Sequence, residues 1–533
     1  MKIRRQFVRL GRRHAHFRFA GSGPALLLLH QSPQNSRMWL AMIERFADRY
    51  TVIAPDTPGF GYSDVLETAE PSIAELAEAT VELADALGVQ HFAVFGMHTG
   101  GLIAAQVAWL HPERVAALVV DGYAAFTPAE SQMYGERYLP PFVPSWDGAH
   151  LRWLWARMRE QRYFFPWYDG RAECAMAIDP QSTASTHEAV IDVLEVGDAY
   201  RAGYGAAFRY TEHAYLSRLK PPTWLLYRQG DPLQPHRSRL PELPKHVCCD
   251  VETGGLAGLH ARMDTILADA LAREAPVTLR QAPSDPALWQ RSIVESAVGD
   301  IACWRRAGND RLHLHLHAPG TRPLQPSQLD GGTAAVLSLD LPGHGASAEV
   351  SVELTLDHVL AAVLAALASM PAELPLVIES HGAAAGYVPA LIDRLDQRVE
   401  RVVLHQPWLL EDDERATLLA QLPNPQLDRA GGHLGDAWQW ERERHLLWPW
   451  LAPSAAARRR VAAPTPDEVN DNVVELLHLG ARSEQLFRDA TPADLFARLQ
   501  RLPYPLVVDA AAEDDYQGRA ASLRRQHDED YSA

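Results

Sequence analysis

Short apolar runs closed by turn residues recur along the first half of the chain: ALLLLH (25–30), TVIAPD (51–56), HFAVFG (91–96) and VAALVVDG (115–122). Runs of this length without polar alternation suit strands buried on both faces of a sheet. Between them, residues 72–87 follow a Pro71-Ser72 start and residues 102–111 stop at Pro112, so both read as helices. Strands alternating with helices predict a mostly parallel sheet with right-handed crossovers. The N-terminal stretch 1–19 is basic but alternates polar and apolar residues, which predicts a strand pair and not a signal peptide.

Composition narrows the class. A chain of 533 residues exceeds what one hydrophobic core supports, so more than one domain is expected. No window approaches eighteen uninterrupted apolar residues, which argues against a membrane span. A formal charge of -17 repels polyphosphate, and no basic stripe interleaved with aromatics offsets it, so nucleic acid is not an expected partner. Cys174, Cys248, Cys249 and Cys303 have no CxxC spacing and are expected as reduced packing residues in a cytoplasmic protein.

The connections between the runs carry more specific information. GSGPALLLLHQSP, APDTPGFGYSD and VFGMHTGG follow one another at distances that resemble the first half of an α/β-hydrolase. In that fold a G-x-S-x-G turn holds the nucleophile on a sharp strand-to-helix bend. Here the turn is Gly96-Met97-His98-Thr99-Gly100, with histidine at the serine position. The resemblance implies further positions. Residues 123–219, rich in aromatics, would form a helical lid. The acid would follow the strand at PTWLLYRQGD, as Asp231, and the base would be His260, at an interval resembling the family's acid-to-base spacing. The oxyanion hole would be made by the backbone N–H groups of Ser32 and Thr99. Asp121 ends a strand where some members of the family carry the acid, and Asp231 is preferred to it.

Beyond a connector at 273–285 the pattern begins again, with LHLHLHAPG, AAVLSLDLPGHGAS and LPLVIESHGAAAG. The two lids repeat each other without a gap: GAHLRWLWARMREQRYFFPW lines up on GGHLGDAWQWERERHLLWPW. A single constant offset relates His150 to His433, Asp231 to Asp514 and His98 to His381, while a rival register makes Ser380 the second elbow residue. The counterpart of His260 would fall past Ala533, so the second copy lacks a base and a final strand and reads as degenerate.

The expected architecture is therefore two tandem α/β-hydrolase-like domains, at 1–275 (lid about 123–219) and 285–533 (lid about 408–500), each a mostly parallel sheet with flanking helices. The first is expected to be an enzyme acting on a small apolar or aromatic carbonyl or ester-type substrate. Imidazole leaves four roles open for His98: an acid–base partner of His260 and Asp231, a covalent nucleophile, a structural residue in a binding protein, or a ligand in a two-histidine, one-carboxylate metal set. The first is preferred, with no metal and no cofactor. A cofactor-free lyase or isomerase and a non-catalytic pseudo-hydrolase are the alternatives. In the lid, Trp155, Arg159, Phe164 and Trp167 are candidate substrate contacts, although aromatics at helical spacing more often pack a lid onto its core. A small-molecule substrate, contact between the two domains and a homodimer are the expected partnerships.

Overall fold

A computed structural model describes residues 2–280, 285–329, 332–350, 353–396, 398–423, 426–447, 454–509 and 518–523. The chain divides into two compact units: residues 1–143 with 153–283, and residues 144–152 with 284–533. Residues 144–152, which include the first turn of the helix Ala149–Glu160, thus group with the second unit.

The first unit is built on eight strands: β1 (Arg4–Leu10), β2 (Arg13–Ala20), β3 (Ala25–Leu29), β4 (Thr51–Pro55), β5 (Phe92–Met97), β6 (Val115–Asp121), β7 (Thr223–Arg228) and β8 (Val247–Glu252). They lie in the order β1-β2-β4-β3-β5-β6-β7-β8. The β1–β2 and β2–β4 pairs are antiparallel and the others parallel. Every residue of β3 and β4 is buried, as their unbroken apolar runs require. The helix Ile73–Ala86 starts at a Ser72/Glu75 capping box, which satisfies its first free N–H groups. On one sheet face Leu26, Leu28, Ala93, Phe95 and Val119 pack beneath the helices Leu40–Phe46 and Gly255–Ala270. The connector leaves along this unit, tied by Val277 N–H to Gly23 O and Arg280 N–H to Leu87 O, both at 2.9 Å.

The second unit repeats the layout with β9 (Gln290–Ser296), β10 (Gly299–Arg306), β11 (Leu312–Leu316), β12 (Ala335–Leu339), β13 (Leu376–His381), β14 (Val399–His405) and β15 (Leu506–Asp509). Their order, β9-β10-β12-β11-β13-β14-β15, is that of β1 to β7. Among the described residues no strand corresponds to β8. The loops that follow the strand ends are repeated too. His30 accepts from Thr57 N–H through Nε2, and His317 accepts from Leu341 N–H in the same way, at 2.9 and 3.0 Å. With Nε2 accepting, each ring donates through Nδ1 to a carbonyl, Gln31 O or Ala318 O. Among the described residues no helix is long and apolar enough to cross a membrane.

Candidate active site

β5 ends in a bend whose centre is His98, at φ 47° and ψ -110°, immediately before the helix Thr99–Leu110. Only a tight bend allows this approach. A Cβ on Gly96 would sit 2.1 Å from Gly100 O, and one on Gly100 would sit 2.2 Å from Leu29 O, so neither position accepts a side chain. A left-handed backbone at a non-glycine residue is strained, and strain of this kind concentrates where a side chain has to be presented to a site.

The imidazole crosses the end of β6 and hydrogen-bonds through Nε2 to Asp231 Oδ2 at 2.8 Å. Gly122 leaves room for it: a Cβ there would lie 2.5 Å from His98 Cδ2. Asp231 follows β7 and is fixed by Leu233 N–H, which donates to Oδ1 at 2.8 Å. Two more charges complete the cluster, with Arg228 Nε 2.8 Å from Asp121 Oδ2 and Arg228 Nη2 4.0 Å from Asp231 Oδ2. Burial by itself would push the His98 pKa down, but the charge of Asp231, its hydrogen bond and the charge of Asp121 outweigh it and hold the imidazole above the ordinary histidine value. For Asp231, burial is outweighed by His98, by the Leu233 N–H and by Arg228, and its pKa lies below the usual carboxylate range. Burial wins at Asp121, whose pKa is raised against the pull of Arg228 and His98.

His98, Asp231 and Arg228 of this cluster form the floor of a cavity of about 230 Å³. Gln31, Ser32 and Thr99 line the floor beside His98, and Phe126, Tyr138, Phe165, Tyr204 and Phe208 supply aromatic walls. Arg162 enters from the lid. Its Nε is buried without a hydrogen-bond partner, and burial, with repulsion from Arg228, lowers its pKa.

Of the residues expected at the site, His98, Asp231, Ser32 and Thr99 come together around the cavity and His260 does not. The helix Gly255–Ala270 begins three residues after β8, so residue 260 is already in its second turn. There its pKa is lowered by burial and by Arg45, against Asp264, and its Nε2 has no partner. The acid-to-base interval presupposes a loop after β8, and the chain turns directly into the helix instead.

The lid residues Trp155, Arg159, Phe164 and Trp167 do not line this cavity. Trp155 is buried in the helix Ala149–Glu160, Arg159 is partly exposed, and Phe164 bridges Ala175. Trp167 braces the wall from behind, donating its Nε1 hydrogen to Tyr138 O at 3.0 Å and packing against Arg157. Arg162, three positions past Arg159, faces the cavity because the helix has ended at Glu160 and the chain has turned. Arg162, Arg228 and Gly122 escape a reading of the sequence alone. The available signals are the Arg three residues before Asp231 and the Gly immediately after Asp121.

The second unit's elbow lies one residue from where the sequence offset puts it. Leu28 pairs with Phe95 and His315 with Glu379, and Met97 pairs with Asp121 as His381 does with His405. The position matching His98 is thus Gly382, at φ +57°, while His381 matches Met97 and Ser380 matches Gly96. A compensating shift between elbow and lid disguises this in the sequence. Asp514, Pro449 and Trp450 lie outside the described residues.

A model of the alpha/beta hydrolase fold family matches residues 24–251. An uncharacterized protein of Mycobacterium tuberculosis is 40% identical over 104 residues, 20% of this chain and 30% of the relative. The fluoroacetate dehalogenase of a Burkholderia species is 38% identical over 104 residues, 19% of this chain and 34% of that enzyme. The chain therefore spans about a third of the length of these relatives. The crystal structure of epoxide hydrolase A from Mycobacterium thermoresistibile is 20% identical, covering 52% of this chain and 100% of that one with a TM-score of 0.41. The matched segment runs from the start of β3 to the end of β8 and carries the strained elbow, so the N-terminal unit of this chain has the alpha/beta hydrolase fold.

Proposed function

We propose that the N-terminal unit is a cofactor-free hydrolase of small carbonyl or ester substrates in which His98 is the general base. The observation that carries this reading is the 2.8 Å hydrogen bond from His98 Nε2 to Asp231 on the cavity floor. With Nε2–H donated to the carboxylate, the neutral ring keeps its lone pair on Nδ1. Water attacks the substrate carbonyl carbon and passes its proton to Nδ1, and Asp231 stabilises the imidazolium that forms. The carbonyl oxygen takes up the negative charge, and the N–H groups of Ser32 and Thr99 are the donors assigned to it. The intermediate then expels the leaving alkoxide, which recovers the proton from Nδ1, so the acid and the alcohol are released and His98 is neutral again. A base positioned in this way contributes roughly 10²- to 10⁴-fold, and one oxyanion donor about 3 kcal/mol.

The aromatic walls suit an apolar substrate body, and Arg162, with its unpartnered Nε, suits a carboxylate on that body. Purified protein is to be assayed against short aromatic esters with and without a free carboxylate. Turnover is expected, with preference for the carboxylated set. His98→Ala is expected to be inactive, and His98→Ser as well, because among the described residues no second histidine lines the cavity. Esterase activity in His98→Ser would contradict the general-base reading, and a wild type inert on every ester would favour the lyase or binding alternatives.

A further inference from the structure

The second sheet carries a polar cluster where the first has aliphatic core. On the face where β3 and β5 present Leu26, Leu28 and Phe95, β11 and β13 present His313, His315 and Glu379 at the matching registers. Three apolar positions are replaced together by two imidazoles and a carboxylate, all buried or half-buried. His313 Nδ1 lies 2.5 Å from Glu379 Oε1, and His315 Nδ1 lies 3.7 Å from Oε2. His405 Nε2 holds Oε2 from the next strand at 3.1 Å, and Asp509 Oδ2 fixes the other nitrogen of His405 at 3.2 Å.

Hydrogen bonding among the described residues accounts for His313, Glu379 and His405 but not for His315. The side chain of His315 is 5% exposed, yet neither ring nitrogen has a hydrogen-bond partner among the described residues. A neutral imidazole always carries one N–H donor and one acceptor, and burying both unmade is a cost that proteins rarely leave unrelieved. A cation beside Nδ1 would relieve the acceptor and give that nitrogen and Glu379 Oε2, now too far apart to bond each other, a common partner. One donor atom from each of His313, His315 and Glu379 lies within 4.8 Å of the others, a spread that small side-chain rotations close to bonds of about 2.0–2.2 Å to one central ion.

We propose that the second unit binds one divalent first-row transition ion, of the zinc class, through His313, His315 and Glu379. Imidazole and carboxylate donors select this class over calcium and magnesium, which prefer all-oxygen sets. His405, oriented by Asp509, hydrogen-bonds Glu379 Oε2 and fixes the carboxylate, as the partners of metal-bound carboxylates do. The strands supply the geometry without any loop closing over the ion, because His313 and His315 alternate along one strand and Glu379 pairs directly with His315.

The test is equilibrium dialysis of the chelator-stripped full-length chain against zinc chloride, alongside visible absorption with cobalt(II). One zinc per chain is expected, together with the intense visible bands of a low-coordinate nitrogen and oxygen site. His315→Ala and Glu379→Gln are each expected to weaken zinc binding by roughly 100-fold. His98→Ala is expected to keep full stoichiometry, which separates this site from the N-terminal cavity. No saturable zinc binding by wild type, or unchanged affinity in His315→Ala, overturns the proposal. Should the variants fail to fold, the wild-type cobalt spectrum decides, and a weak octahedral spectrum counts against the site.

Discussion

The two elbows of this molecule solve one backbone problem with opposite side chains. In the N-terminal unit the residue after β5 is His98 and the residue after β6 is Gly122, both with positive φ. In the C-terminal unit the matching pair is Gly382 and Gln406, again both with positive φ. The hydrogen bond that sets the second bend is also repeated, from Gly122 N–H to Leu226 O at 2.8 Å and from Gln406 N–H to Asp509 O at 2.7 Å. Left-handed geometry thus belongs to the fold at both positions, and the side chains decide what each unit does with it. Where glycine stands at the second bend, an imidazole can lie across it to the acid. Where glycine stands at the first, nothing is presented, and the histidines sit one residue earlier on the strand. There His381 stacks on His405 at 4.5 Å.

Exchanging the elbow residues is the strongest test of that contrast. His98→Gly is expected to lower turnover by up to about 10⁴-fold, since base and acid contact vanish together. Adding Gly382→His to this variant is expected to restore nothing. A side chain at 382 would start 3.3 Å from Trp408 Nε1 and 3.4 Å from Ala318 Cβ, so the double variant should also unfold at lower temperature. Recovery of activity in a kinetic assay would mean that the C-terminal elbow retains a working pocket.

Asp231→Asn ranks next. It keeps an acceptor for Nε2 but not the charge, and kcat is expected to fall by about 10²- to 10³-fold. The pH profile carries the sharper information. A general base acts when neutral, so wild-type activity should rise with pH through the His98 pKa, which lies above the ordinary value because Asp231 outweighs burial. Removing the carboxylate removes the main raising cause, so the limb of the kcat/KM profile should move to lower pH while its plateau falls. A limb that stays in place would show that another group titrates.

How much of this is legible in the sequence follows from what each feature depends on. The strand order, the elbow at His98 and the acid at Asp231 rest on local runs and on glycines that no other residue can replace, and such signals survive in a single sequence. His260 rests on an interval, and intervals mislead when a loop shortens: here the helix begins at Gly255 directly after β8. The lid aromatics rest on composition, which does not say which side of the lid faces the cavity. Trp155 goes to the core, and Arg162, beyond the end of the helix, faces the cavity. The His98–His381 match fails by one residue because a constant offset cannot reveal compensating insertions, whereas strand pairing can.

Gly122→Ala is expected to cost less than either catalytic substitution while testing the same contact. Its Cβ would meet His98 Cδ2 at 2.5 Å, and the ring, a side chain with alternatives, should swing away from Asp231. A loss of about 10- to 100-fold in kcat is expected, with a stability cost of about 1 kcal/mol from the φ of +74°. A crystal structure of the variant with the His98–Asp231 hydrogen bond intact would refute the account of Gly122. Arg162→Met belongs at a similar scale but in KM: roughly 10- to 100-fold weaker for a carboxylated ester and unchanged for its neutral analogue.

The smallest effect is expected in the other unit and has the opposite sign. Gln406 occupies a left-handed conformation, φ 50°, that glycine adopts at its counterpart Gly122. Its N–H bond to Asp509 O is made by the backbone and survives substitution. Gln406→Gly should therefore relieve local strain, offset in part by the greater freedom of glycine in the unfolded chain, for a net gain of about 0.5–1 kcal/mol. Denaturant melts of the full chain would register it as a raised midpoint with unchanged slope. Hydrolysis should not change, because residue 406 belongs to the unit without an elbow side chain. If the variant is instead less stable, the Gln406 side chain contributes more than its backbone costs. The bend after β14 would then be kept for that side chain and not merely inherited from the shared fold.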